Sequence, residues 1–140
     1  MATDLLFVYG TLMRGFGLHP LLARQAAFHG EGTIAARLVD LGAYPGAVPD
    51  PHASVMSVMG EIYRIAGPDG FEALDSAEGP RYHREQTRVR MADGREVAAF
   101  VYWYRGPLDR SVPIPGGDYR AHAPARSIHR TTSRGGHDAA

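Results

Sequence analysis

The 140 residues include fifteen basic and fifteen acidic side chains, for a formal net charge of zero, with 44% apolar residues and no cysteine. This length and composition predict one domain around a single core, and no apolar run approaches the length of a membrane span. The missing cysteine excludes disulfides and thiolate chemistry, an all-arginine basic set excludes Schiff-base chemistry and a P-loop lysine, and the neutral balance gives no electrostatic case for nucleic acid as the main partner.

Met1-Ala2-Thr3-Asp4 has no positively charged start, so a signal peptide is not expected and the cytoplasm is the expected location. The run from Asp4 to Tyr9 reads as a buried central strand that ends at Gly10. A loop with Gly10, Gly15 and Gly17 follows, then a short helix from Pro20 to Ala27, with proline at its first turn. Gly30 and Gly32 read as breaks before a strand from Thr33 to Leu41. Two turn-rich loops, Gly42 to Gly46 and Pro49 to Pro51, separate it from a strand over Val55 to Ile65. Gly60 inside that strand marks a bulge or a close approach.

A helix from Pro68 to Ala77 places Phe71 and Leu74 on one face, toward the core, and Gly79-Pro80 ends it. Arg81 to Met91 alternates, with Tyr82, Arg84, Gln86, Arg88 and Arg90 on one face, read as solvated. Ala92-Asp93-Gly94-Arg95 is a hairpin turn into a strand from Val97 to Tyr104. Beyond Gly106 the chain reads as irregular, and residues 123–140, rich in Arg, His and Ser, read as a disordered tail to a domain over residues 1–122. The sum is an α+β fold: a small mixed, barrel-like sheet of about five to six strands with short flanking helices.

Most chemical motifs fail on context. Gly30-Glu31-Gly32-Thr33-Ile34-Ala35 approximates a dinucleotide fingerprint but precedes a strand rather than a helix. The seven histidines are scattered singly, so no metal is expected. Glu78 is different. It closes the 68–77 helix, where the helix dipole and partial burial disfavour the ionised form, which suits a general acid/base. Asp75 competes for that role from about the same face, and a solvated Glu78 before a Gly-Pro stop is the plain alternative. Backbone N–H groups after Gly10 suit an anion or carbonyl, though an ordinary core strand with a turn reads equally well there.

Phe7-Val8-Tyr9-Gly10-Thr11-Leu12-Met13-Arg14-Gly15 and Leu74-Asp75-Ser76-Ala77-Glu78-Gly79-Pro80-Arg81-Tyr82-His83-Arg84 together resemble the gamma-glutamylcyclotransferase-like family, which includes the AIG2-like proteins. Tyr44-Pro45-Gly46, Gly60-Glu61-Ile62-Tyr63, Phe100-Val101-Tyr102 and Ile114-Pro115-Gly116-Gly117-Asp118-Tyr119 extend the resemblance in order across residues 4 to 122, with Gly116 where relatives often have serine. The resemblance implies a small mixed barrel without a cofactor and a cyclotransferase that turns a gamma-glutamyl amine or gamma-glutamyl amino acid into 5-oxoproline plus free amine. It places the catalytic glutamate on Glu78, substrate binding on Tyr9, Gly10, Thr11 and Leu12, and a pocket-lining aromatic on Tyr82. The implied partner is a small-molecule gamma-glutamyl substrate, with no nucleic acid and no membrane. A non-catalytic binding or regulatory module on the same fold is the competing expectation.

Overall fold

The computed structural model describes residues 3–50 and 58–122; the tail expected over 123–140 and the expected strand start at 55–57 lie outside the described residues. The described residues form eight strands: β1 (Leu5–Val8), β2 (Ala26–Ile34), β3 (Ala36–Asp40), β4 (Pro45–Pro49), β5 (Val58–Ile65), β6 (Tyr82–Met91), β7 (Glu96–Tyr104) and β8 (Val112–Pro113). Three helices join them: α1 (His19–Ala23), α2 (Gly67–Glu78) and α3 (Tyr119–His122). The sheet order is β1-β5-β2-β6-β7-β4-β3-β8, and β7 also pairs in parallel with β1. That extra pairing closes β1, β5, β2, β6 and β7 into a five-stranded mixed barrel, and β4, β3 and β8 extend from its β7 side. Among the described residues, no helix is long and apolar enough to cross a membrane.

The expected barrel of about five strands is therefore present; among the described residues three further strands extend its sheet and three short helices, rather than two, flank it. Continuous apolarity makes β1 the central strand: all four residues are buried, paired to β5 on one side and to β7 on the other. It ends where expected, at Tyr9-Gly10.

Several readings need correction. The first helix covers only His19–Ala23, because Ala26 and Ala27 already pair with β5 as part of β2. Gly30 and Gly32 do not break the chain; they lie within β2, which has a bulge between Phe28 and Gly30. At Gly32 a Cβ atom would come within 2.8 Å of the Arg90 carbonyl and 2.9 Å of a Val89 methyl. This glycine marks where β6 closes tightly on β2, not a turn. The strand expected over Thr33 to Leu41 is thus the end of β2 followed by β3. The supposed loop after it contains β4, whose two prolines stand at its first and last residues, where a missing N–H disturbs the ladder least. The segment after Gly106 likewise contributes β8, paired with β3, and α3.

The hairpin of β6 and β7 has an unbroken register from Tyr82↔Tyr104 to Arg90↔Glu96. Its arginine face is not uniformly solvated. Arg84 is half-buried against the rings of Phe71 and Phe100, 4.4 and 4.6 Å from their centroids, and the two rings meet edge-on with centroids 5.1 Å apart. This stacking, with Asp75 beyond it, fastens α2 across the barrel wall. Arg88 and Arg90 remain exposed beside Glu96.

Candidate active site

Helix α2 carries Phe71, Leu74 and Glu78 on its inward face, at i, i+3 and i+7. Phe71 and Leu74 pack into the core, so the helix cannot rotate without exposing them. The same stripe carries Glu78 into the interior, where it is only 3% exposed. Glu78 is the last residue of α2, and the N–H of Gly79 closes the turn on the Asp75 carbonyl.

The charge of this carboxylate reaches three buried phenols. Burial first, and the Glu78 charge second, push Tyr9 well above the usual phenol range, against the opposing hydrogen bond from Ala47. Burial, then Tyr9 and Glu78, push Tyr82 up in the same way. Tyr102 is raised by burial and by its bond to Asp75, with a smaller contribution from Glu78. All three hydroxyls therefore stay protonated and act as donors.

Their donors go to structural acceptors. The Tyr9 hydroxyl donates to the Tyr102 carbonyl at 2.7 Å and accepts from the Ala47 N–H at 3.1 Å. The Tyr82 hydroxyl donates to the Pro45 carbonyl at 2.7 Å. Tyr9 and Tyr82 thus both fasten the Pro45–Ala47 stretch of β4. Gly46 lets that stretch approach: a Cβ there would lie 2.7 Å from the Cβ of Tyr104. Tyr9→Phe should cost about 1–3 kcal/mol, because Ala47 N–H and the Tyr102 carbonyl would both lose a buried partner. Urea unfolding measures this, and an unchanged midpoint would show that the hydroxyl contributes nothing.

Asp75 is engaged elsewhere. It accepts from Arg84 Nε at 2.8 Å, Arg84 Nη2 at 3.0 Å and the Tyr102 hydroxyl at 2.6 Å. Burial pushes its carboxyl up, but the Arg84 and Tyr102 hydrogen bonds outweigh that and hold it below the usual range. The fold therefore favours ionised Asp75. Its contribution to stability is full above the unfolded carboxylate pKa of about 3.9 and is lost as pH falls through the lower folded value. Urea midpoints of the native protein and of Asp75→Asn should differ at neutral pH and converge below about pH 4. A gap that stays constant with pH would contradict this assignment.

The loop after Tyr9 folds back on itself. The Gly10 carbonyl accepts from Met13 N–H at 3.0 Å and the Thr11 carbonyl from Leu18 N–H at 3.1 Å. The Leu12 carbonyl lies 2.9 Å from His19 Nδ1, and because a carbonyl only accepts, that nitrogen carries the proton. Gly10 and Leu12 are buried and Thr11 is half-buried. Because Tyr9 both feels the Glu78 charge and starts this loop, the first and second sequence segments lie within electrostatic reach of each other.

A family model described as gamma-glutamyl cyclotransferase, AIG2-like, matches residues 6–121. The chain belongs to that family. Similar to it is a protein of Methanocaldococcus jannaschii, provisionally named a gamma-glutamylcyclotransferase, 25% identical over 121 residues that cover 84% of this chain and 96% of the relative. Among solved structures, an AIG2-like protein of Mus musculus superposes with a TM-score of 0.72 at 28% identity, covering 90% of this chain and 94% of that one. YkqA of Bacillus subtilis superposes with a TM-score of 0.72 at 27% identity, and the match covers 93% of this chain but only 43% of YkqA.

In this AIG2-like chain, the sequence brought Tyr102 and Pro45-Gly46 forward only as blocks of the resemblance, without a role, and did not show that Tyr9 and Tyr82 bind the Pro45–Ala47 stretch. Tyr102 reads locally as one member of an alternating strand. Its place within reach of the Glu78 charge depends on the pairing of β7 with β1 and on the packing of α2. The available signal lay in α2 itself, where a carboxylate continues an apolar stripe.

Proposed function

We propose that the chain is a cyclotransferase that converts a gamma-glutamyl amine or gamma-glutamyl amino acid to 5-oxoproline and a free amine, with Glu78 as the general acid and base. The observation that carries this reading is a buried glutamate whose charge reaches Tyr9 at the start of the loop, while the neighbouring Asp75 is committed to Arg84 and Tyr102.

The substrate supplies its own nucleophile. Its alpha-nitrogen attacks the gamma-carbonyl carbon, a five-membered lactam forms, and the carbon–nitrogen bond to the leaving amine breaks. No water is consumed. The protein has to hold a near-attack conformer, which a rigid barrel end does well. Glu78 relays two protons in turn, one from the alpha-ammonium before attack and one from the ring nitrogen as the tetrahedral intermediate collapses. It passes both to the departing nitrogen, so the amine leaves as an ammonium and the proton count closes within one turnover.

Charge develops on the carbonyl oxygen and calls for preorganised donors. In a trans peptide the N–H points opposite to the carbonyl of the same unit. With the Gly10 and Thr11 carbonyls bonded into the loop, the N–H groups of Thr11 and Leu12 face the other way. They are the proposed donors. Tyr82 and Tyr9 act by shaping the wall through Pro45 and Ala47, and Leu12 by filling the floor.

The test is 5-oxoproline release from a panel of gamma-glutamyl amines, gamma-glutamyl dipeptides and gamma-glutamyl-epsilon-lysine. The proposal expects turnover of at least one class without added metal or cofactor. Failure across the whole panel, with the folded protein verified, would favour a binding module that retains the pocket.

A further inference from the structure

Glu61 is the second buried acid of the described chain, on β5 opposite Val8, one residue before Tyr9. Its Oε1 accepts from the Arg14 backbone N–H at 3.0 Å and from the Tyr63 hydroxyl at 2.9 Å. Its Oε2 accepts from Arg14 Nε at 3.1 Å and Arg120 Nη2 at 3.0 Å. A carboxylate offers about four acceptor positions, and all of them are used here. Burial pushes this carboxyl up, but the donors from Arg14 and Tyr63 outweigh it and hold it below the usual range. A group so saturated has no position left for a substrate proton.

What it holds is the loop. Arg120 Nη1 donates to the Arg14 carbonyl at 2.7 Å. The N–H of Arg14 is therefore fixed by β5 and its carbonyl by α3, from positions 47 and 106 residues away in sequence. The Arg14 guanidinium lies 4.1 Å from the Phe28 ring centroid, and that of Arg120 lies 5.3 Å from Phe16. Phe16 and Tyr119 rings pack 5.5 Å apart. These contacts fix the far end of the segment whose near end is Tyr9-Gly10-Thr11-Leu12.

We infer that Glu61 is a positioning residue that acts through Arg14 and Arg120 to hold the Gly10–Arg14 segment in the geometry that receives the gamma-glutamyl group. The inference rests on the proposed function for its catalytic consequence, but its structural part can be measured without any turnover. Glu61→Gln keeps the size of the side chain and turns an NH2 group toward the arginine donors. Arg120→Gln removes the second anchor from a partly exposed site and spares the buried acid.

Both variants should show faster amide hydrogen exchange over residues 11–18, with unchanged exchange over α2 as the control for folding. Both should lower kcat/KM for 5-oxoproline release, by about tenfold for Glu61→Gln. Most of that loss should fall in KM, with the pH profile of kcat unmoved. Native exchange over 11–18 would overturn the inference, as would faster exchange with unchanged KM. A shifted kcat profile would also overturn it, by placing Glu61 in the proton chemistry. If the native protein turns over no gamma-glutamyl substrate, the proposed function fails, while the exchange data still decide whether Glu61 holds the loop.

Discussion

Glu78→Gln is expected to leave the fold intact and to reduce 5-oxoproline release by about 10²–10⁴-fold, the usual range for losing a positioned acid/base. The amide has the volume of the acid, so the end of α2 keeps its packing, and Phe71 and Leu74 still anchor the inward face. What changes is that glutamine cannot take the proton from the alpha-ammonium or return one to the leaving amine. The loss should fall on kcat, with KM little altered, because the group acts mainly on the transition state. Asp75→Asn is the matched control. It removes a carboxylate one helical turn away that is bound to Arg84 and Tyr102, and it should retain most turnover. Native turnover in Glu78→Gln would remove Glu78 from the chemistry.

Leu74→Ala is expected to cost about 2–5 kcal/mol of stability, the range for truncating a fully buried leucine. Leu74 is completely buried at the centre of the inward face of α2. The cavity would sit one turn before Glu78, so the folded fraction should also turn over more slowly, as the last turn loses its seat. Urea unfolding measures the first effect, and initial rates corrected for the folded fraction measure the second. A cost below about 1 kcal/mol would mean that α2 is held by the Arg84–Asp75 clamp rather than by its apolar stripe.

The elements legible in the sequence were those whose signals are local. β1 announces itself by four apolar residues and a glycine, α2 by its Phe71–Leu74 spacing and Gly79-Pro80 stop, and β6 and β7 by alternation around Asp93-Gly94. β4 was illegible because Pro45, Gly46 and Pro49 mark a loop in almost any local reading, and only pairing with β3 and β7 makes them a strand. Gly32 misled for a related reason: the close approach of β6 that requires it is made by residues almost sixty positions later. Barrel closure through β1 and β7 is likewise a long-range pairing that no periodicity encodes.

The candidate site divides along the same line. Glu78 could be singled out as a carboxylate at a helix end, but a solvated residue before a Gly-Pro stop remained the plain alternative there, and its role came from the resemblance. Tyr9 and Tyr82 could be named from the segments that carry them, but not what their hydroxyls hold, since Ala47 and Pro45 lie nearly forty residues away. Tyr102 and Glu61 lie in the short blocks Phe100-Val101-Tyr102 and Gly60-Glu61-Ile62-Tyr63 of the resemblance, but no role could be read for either, since each gains its setting only when strands meet.

The most direct measurement is a crystal structure of the protein soaked with 5-oxoproline, the product of the proposed reaction. The account predicts the lactam between the Gly10–Leu12 loop and Glu78, its ring carbonyl facing the N–H groups of Thr11 and Leu12 and its ring nitrogen within hydrogen-bond reach of the Glu78 carboxylate. A lactam bound elsewhere, or none bound at saturating product, would contradict it.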